Sequence, residues 1–143
     1  DKGDESRMQS ALRDDALTTT PTGVAVRVGL PWIRSLPLAC LREPVLTING
    51  RAVANLRVGV GDRSVDASAL LDETAWWFAQ DRLVLEADLE LTPGRHDVVV
   101  EFRLLIPYLM AGPGGGPLEL PQHLEASLQL DHSPIPSVSL DVA

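Results

Sequence analysis

The sequence predicts an all-β fold, an antiparallel β-sandwich built as a single domain. Three observations carry that expectation. Apolar and polar residues alternate with a period of two in several stretches, the repeat of a strand with one buried face. No helix-length window holds a convincing 3.6-residue period. Turn-forming residues, 11 Gly and 11 Pro, fall largely between the alternating stretches, as expected for short strands in a sandwich.

The elements follow in chain order. Residues 1–12 are mostly polar and lack a period, so they read as an N-terminal extension. The sandwich domain is expected over residues 13–131. Val24, Val26, Val28 and Leu30 alternate with Ala25, Arg27 and Gly29, and Pro31 ends that strand. Val45 to Ile48 form a short strand, Asn49-Gly50 is a tight-hairpin signal, and Arg51 to Val53 return. Leu56, Val58 and Val60 alternate before Gly61-Asp62 turns the chain toward Val65, and residues 67–74 hold one short helical turn. A long hairpin is expected next. Leu83, Leu85, Ala87, Leu89 and Leu91 form one arm, Pro93-Gly94 the turn, and Val98, Val100, Phe102, Leu104 and Ile106 the return, which Pro107 ends. Leu124, Ala126, Leu128 and Leu130 make a further strand. Residues 132–143 are a C-terminal tail or an edge strand, since Val138, Leu140 and Val142 alternate after Pro134 and Pro136. The run from Val28 to Trp32 echoes the run from Leu104 to Tyr108. If the two strands run the same way, Trp32 and Tyr108 gather at one end.

Composition narrows the function. The chain has 143 residues, a net charge of −8 and a pI of about 4.7. Such a surface repels nucleic-acid phosphates and anionic membranes, so neither is an expected partner. The single cysteine, Cys40, allows no internal disulfide, and no apolar run reaches the ~20 residues of a membrane span. The charged start, with Asp1, Lys2, Asp4, Glu5 and Arg7, is unlike a signal peptide. A cytoplasmic protein is expected, with Met8 a candidate native start.

Residues that could carry chemistry are few. His96, His123 and His132 do not occur in metal-ligand spacing, and each reads most simply as a solvated or hydrogen-bonded side chain. Cys40 has apolar neighbours and reads as a buried thiol. Glu86, Asp88 and Glu90 share one face of a strand; that is a solvated surface before it is a glycosidase carboxylate pair. The glycine-rich loop at 112–116 lacks the Lys-Ser/Thr of a phosphate cradle, and reads as a mobile loop or as one that orders on a partner. Aromatic residues are only 4% of the chain. Adjacent strand residues face opposite ways, so Trp76 and Trp77 cannot both enter one core. With Trp32, Arg34 and Tyr108 they form a candidate recognition surface; strand-end caps and core plugs are the plainer reading.

Several segments, in order, resemble a known family: Arg13-Asp14-Asp15-Ala16-Leu17, the stretch from Leu30 to Cys40, the stretch from Val45 to Gly50, Trp76-Trp77-Phe78, the stretch from Leu91 to His96, and Ile106-Pro107-Tyr108. The Leu-Pro-aromatic-x-Arg-x-Leu-Pro-Leu part is the most specific. Together they resemble the small β subunit of bacterial C-glycoside deglycosidases, from about Arg13 to Leu130. The first dozen residues and the glycine-rich loop fall outside the pattern. The resemblance implies a heteromer of several αβ pairs. Its α subunit would have a TIM-barrel fold like that of sugar-phosphate isomerases and would carry a divalent metal, manganese, and the acid–base residues. The reaction implied is elimination from a 3-oxo-C-glycoside: a base removes the C2 proton and the C1–aglycone bond breaks. The β subunit would be a sandwich that holds no cofactor, metal or catalytic residue and supports the active-site end of the barrel. Trp32, Arg34, Trp76, Trp77, Pro107 and Tyr108 would lie at that interface. The rival expectation is a stand-alone carbohydrate- or protein-binding module. An enzyme complete in this chain is disfavoured by the scarcity of convergent chemical groups.

Overall fold

The computed structural model describes residues 11–32, 34–78, 81–110 and 112–131. The described strands are β1 (Leu17–Thr20), β2 (Gly23–Gly29), β3 (Leu36–Pro37), β4 (Leu41–Ile48), β5 (Arg51–Ala52), β6 (Arg57–Val60), β7 (Arg63–Asp66), β8 (Trp76–Trp77), β9 (Arg82–Ala87), β10 (Arg95–Ile106) and β11 (Leu118–Gln129). One sheet has the order β1-β2-β9-β6-β7, a second β11-β10-β4-β5, and β3 pairs with β8 alone. The pairings are antiparallel.

Alternation decides which side chains enter the core. Val24, Val26 and Val28 of β2 and Leu83 and Leu85 of β9 are buried, as are Leu46 and Ile48 of β4 and every second residue of β10 from His96 to Ile106. The apolar members from both large sheets join one cluster, the layering a sandwich requires. Each fully buried Val, Leu or Ile contributes roughly 1.5–3 kcal/mol. Ala11 and Leu12, at the end of the expected extension, are buried in the same cluster.

The Asn49-Gly50 turn forms as expected. Both residues have positive φ (54° and 84°), as a two-residue primed turn needs. Residues Ala67–Asp72 form a 3-10 turn, started by the Asp66 carboxylate accepting from the Ser68 amide at 2.9 Å.

The expected long hairpin does not exist. β9 pairs with β2 and β6, whereas β10 pairs with β4 and β11. The two arms belong to opposite sheets, and the Pro93-Gly94 segment lies in the connection that crosses between them. The reason is that both arms have one apolar face: two such strands can sit side by side in one sheet or face each other across a core. The partner that β10 does take is β11, which begins at Leu118, well before the expected strand. Pro121 lies inside β11 and is tolerated there because β11 is an edge strand. The hydrophobic repeat in the tail, Val138 to Val142, lies outside the described residues.

One end of the sandwich is closed by short elements. Gly29, at the end of β2, pairs with Arg82, at the start of β9. In the other sheet, the end of β10 meets the start of β4, Leu104 opposite Leu41. The β3–β8 ribbon and a 3-10 turn at Leu38–Cys40 close this end.

Candidate functional site

The closed end collects the aromatic side chains. The indole Nε1–H of Trp32 donates to the Tyr108 hydroxyl at 2.6 Å. The Arg34 guanidinium stands over the Tyr108 ring, its carbon 5.5 Å from the centroid; such a contact is worth roughly 0.5–1 kcal/mol when exposed. The structure therefore brings Trp32, Arg34 and Tyr108 into one cluster, at the end where the echoed strand ends meet. Pro107 is exposed beside them.

The tandem tryptophans separate. Trp77 is 4% exposed; its ring packs on Phe102 at 6.1 Å between centroids, and its Nε1–H donates to the Asp81 carbonyl at 3.2 Å. It is a core plug and offers a partner almost no surface. Trp76 faces out at 51% exposure, and Phe78, which shares its parity, is exposed too. After Ile106, the last core residue of β10, Tyr108, Leu109 and Met110 are also exposed. The loop that follows is internally bonded, with the Gly112 amide donating to the Gly116 carbonyl at 2.8 Å and the Leu118 amide to the Leu109 carbonyl at 2.7 Å.

The titratable candidates are occupied elsewhere. His96 is buried: its Nε2–H donates to the Thr92 carbonyl at 2.7 Å, and its Nδ1 accepts from the Asn49 amide at 2.9 Å. His123 lies mid-strand in β11, on the outer face, between Glu101 (2.9 Å) and Glu125 (3.1 Å). Those contacts, led by the one to Glu125, raise its pKa. His132 lies outside the described residues. Burial pushes the Cys40 thiol up, away from the reactive thiolate. Glu86, Asp88 and Glu90 do not form a strand row, since β9 ends at Ala87. Arg57 holds Asp88 through two bonds of 2.8 and 2.9 Å, which lowers the Asp88 pKa. Glu86 accepts from the Ser64 hydroxyl. An acid held ionised by its own arginine is poorly placed to donate a proton.

No family model matches the chain. Curated proteins do. A C-glycoside deglycosidase beta subunit from Arthrobacter globiformis is 37% identical over 72% of this chain and 82% of its own length. A 3'-dehydrocarminate deglycosidase beta subunit from a Microbacterium species is 34% identical over 74% and 82%. A C-glycoside deglycosidase beta subunit from Microbacterium trichothecenolyticum is 34% identical over 69% and 79%. The chain belongs to the C-glycoside deglycosidase beta subunit family.

No three His, Cys, Asp or Glu side chains among the described residues converge so as to hold a metal ion. No helix among them is long and apolar enough to cross a membrane. A groove of about 670 Å³ opens at the sheet edge between β4 and the 67–72 turn. Of its charged groups, Arg103 binds Glu43 and Glu119, Arg42 donates to the Ala39 carbonyl, and Asp66 caps Ser68. Sequence reasoning missed three exposed side chains at the closed end: Phe78, Leu109 and Met110. The signal for Phe78 was its parity with Trp76. For Leu109 and Met110 it was their place after Pro107, where the strand and its core face have ended.

Proposed function

We propose that this chain is the non-catalytic β subunit of a heteromeric, lyase-type C-glycoside deglycosidase. Its partner is an α subunit with a metal-dependent TIM barrel, and several αβ pairs form the cytoplasmic assembly. The substrate is a 3-oxo-C-glycoside. The C3 ketone acidifies the C2 proton; loss of that proton and cleavage of the C1–aglycone bond leave a C1=C2 double bond. The electron pair of the broken bond goes to the aglycone carbon, which takes up a proton. A divalent metal in the α subunit, manganese, supplies charge stabilisation for the enolate. The β subunit packs against the barrel and supports its active-site end.

The reading is carried by the curated relatives: proteins named as deglycosidase beta subunits match most of the chain. The test is co-expression with a candidate α subunit, followed by an assay of 3-oxo-C-glycoside cleavage. Activity is expected from the complex and not from this chain alone. Full cleavage activity in the purified chain, or a failure to complex with any such α subunit, overturns the proposal.

A further inference from the structure

We infer that the α subunit docks on the end of the sandwich where Trp76, Phe78, Tyr108, Leu109 and Met110 surround Arg34, and that Arg34 meets a carboxylate of that partner. The inference rests on the reading of the chain as a β subunit, and adds the place and chemistry of the contact.

Exposure is concentrated there. Five of the seven large exposed hydrophobics among the described residues occupy this end, and the other two, Val45 and Leu71, lie on separate elements. The stretch from Arg34 to Pro37 joins the two exposed runs. Pro37 pairs with Trp76, and Arg34, three residues earlier, stands over Tyr108. Three extended residues span at most about 10 Å, so the runs border one surface. Folding does not require the exposure: Trp77 fills the core beneath Trp76, and β10 has finished its core face at Ile106. A concentrated apolar surface on a charged protein marks a contact site, and Trp, Tyr and Arg are the residues that dominate such sites.

The surface is also ordered in advance. Trp32 fixes the Tyr108 hydroxyl, and the bonded loop from Gly112 to Gly116 holds the far side of the Leu109–Met110 segment. Less side-chain freedom is then lost on binding.

Charge selects the occupant. Arg57, Arg63, Arg82 and Arg103 each hold a carboxylate of this chain. Arg27, Arg42 and Arg95 donate to uncharged oxygens of the chain, whereas Arg34, with no carboxylate among the described residues, rests on a ring. Covering an unpaired guanidinium is costly unless the incoming surface brings an anion. A second copy is a poor candidate, because each copy carries a net charge of −8 and the two repel.

The test measures binding of full-length chain to a purified α subunit. Trp76→Ala and Met110→Lys are each expected to weaken binding by about tenfold or more. Arg34→Leu is expected to weaken it and to flatten its salt dependence. Leu71→Lys, at the sheet-edge groove, is the control and is expected to bind like the wild type. Thermal melts confirm that each variant is folded; all four positions are exposed. A stable wild-type complex that none of the three end variants weakens overturns this inference and leaves the β-subunit reading standing. A wild-type chain that binds no α subunit overturns both. End variants that dissolve a homodimer while α-subunit binding persists assign the surface to a second copy and overturn the inference.

Discussion

Trp32 donates its indole N–H to the Tyr108 hydroxyl at 2.6 Å, joining two residues 76 positions apart. The bond ties the segment after β2 to the segment after β10, so it links the ends of strands from opposite sheets. Trp32→Phe keeps an aromatic ring and removes the donor. A hydrogen bond of this kind is worth roughly 0.5–1.5 kcal/mol, and partial exposure favours the lower half of that range. Urea denaturation of Trp32→Phe is expected to show a loss of about 0.5–1 kcal/mol. Unchanged stability would mean that water replaces the indole at no cost.

The neighbouring tryptophans are expected to respond very differently. Trp77 is enclosed against Phe102, so Trp77→Ala loses a large buried side chain and leaves a cavity, a change that typically costs about 3–5 kcal/mol. Trp76 projects outward, and Trp76→Ala is expected to cost less than about 1 kcal/mol. Equilibrium unfolding of the two variants side by side checks this. Equal losses would show that the in-and-out assignment on β8 is wrong.

That contrast shows what periodicity can and cannot reveal. Neighbouring residues on a strand point to opposite faces, so the sequence alone showed that Trp76 and Trp77 part company. It could not say which turns inward, because that depends on Phe102, a residue of another strand. Asn49-Gly50 was legible for a local reason: two adjacent positive φ angles need those residue types. The pairing of β10 was not legible. An apolar face on β9 and another on β10 fit a hairpin as well as two facing sheets, and the choice is made by β11. The first half of β11 was hidden by Pro121, a residue that ordinarily argues against a strand. β1, with its sequence Leu-Thr-Thr-Thr, was missed because threonine gives no contrast between faces although its branched side chain suits a strand. Of the expected interface residues, Trp32, Arg34 and Tyr108 converge because two similar strand ends finish together, a relationship the echoed sequences hinted at.

Asn49 supports a larger network than its place in a turn suggests. Its side-chain oxygen accepts from the Asp97 amide at 2.9 Å, and its amide nitrogen donates to buried His96. It also holds a φ of 54°, which asparagine adopts more readily than alanine. Asn49→Ala is expected to cost about 2–3 kcal/mol, from two lost bonds and an unfavourable backbone. Asn49→Gly restores the backbone freedom and not the bonds, so it is expected to recover about 1 kcal/mol of that loss. Chemical denaturation of both variants separates the two contributions. An alanine variant as stable as the glycine variant would remove the backbone from the explanation.

The pH dependence of stability follows from two opposite groups of sites. Arg82 holds the Asp15 carboxyl below its ordinary range, and Thr19 does the same for Asp131. A depressed carboxylate contributes stability above its unfolded pKa of about 4, and loses it as the pH falls through the lower folded value. His123 has the reverse sign. Meeting Glu101 and Glu125 at once requires both ring nitrogens to donate, which only the imidazolium can do. Its pKa therefore rises above 6.5, chiefly through Glu125 and then Glu101. The stability it adds is complete below the unfolded value near 6.5 and is lost as the pH climbs through the higher folded value. An NMR titration of the His123 ring is expected to show a midpoint above 6.5. Glu125→Gln should lower that midpoint more than Glu101→Gln. His123→Gln should remove the corresponding decline in stability on the alkaline side while leaving the acid limb, set by the aspartates, in place. A wild-type midpoint at or below 6.5 would show that His123 does not bridge the two carboxylates as a cation.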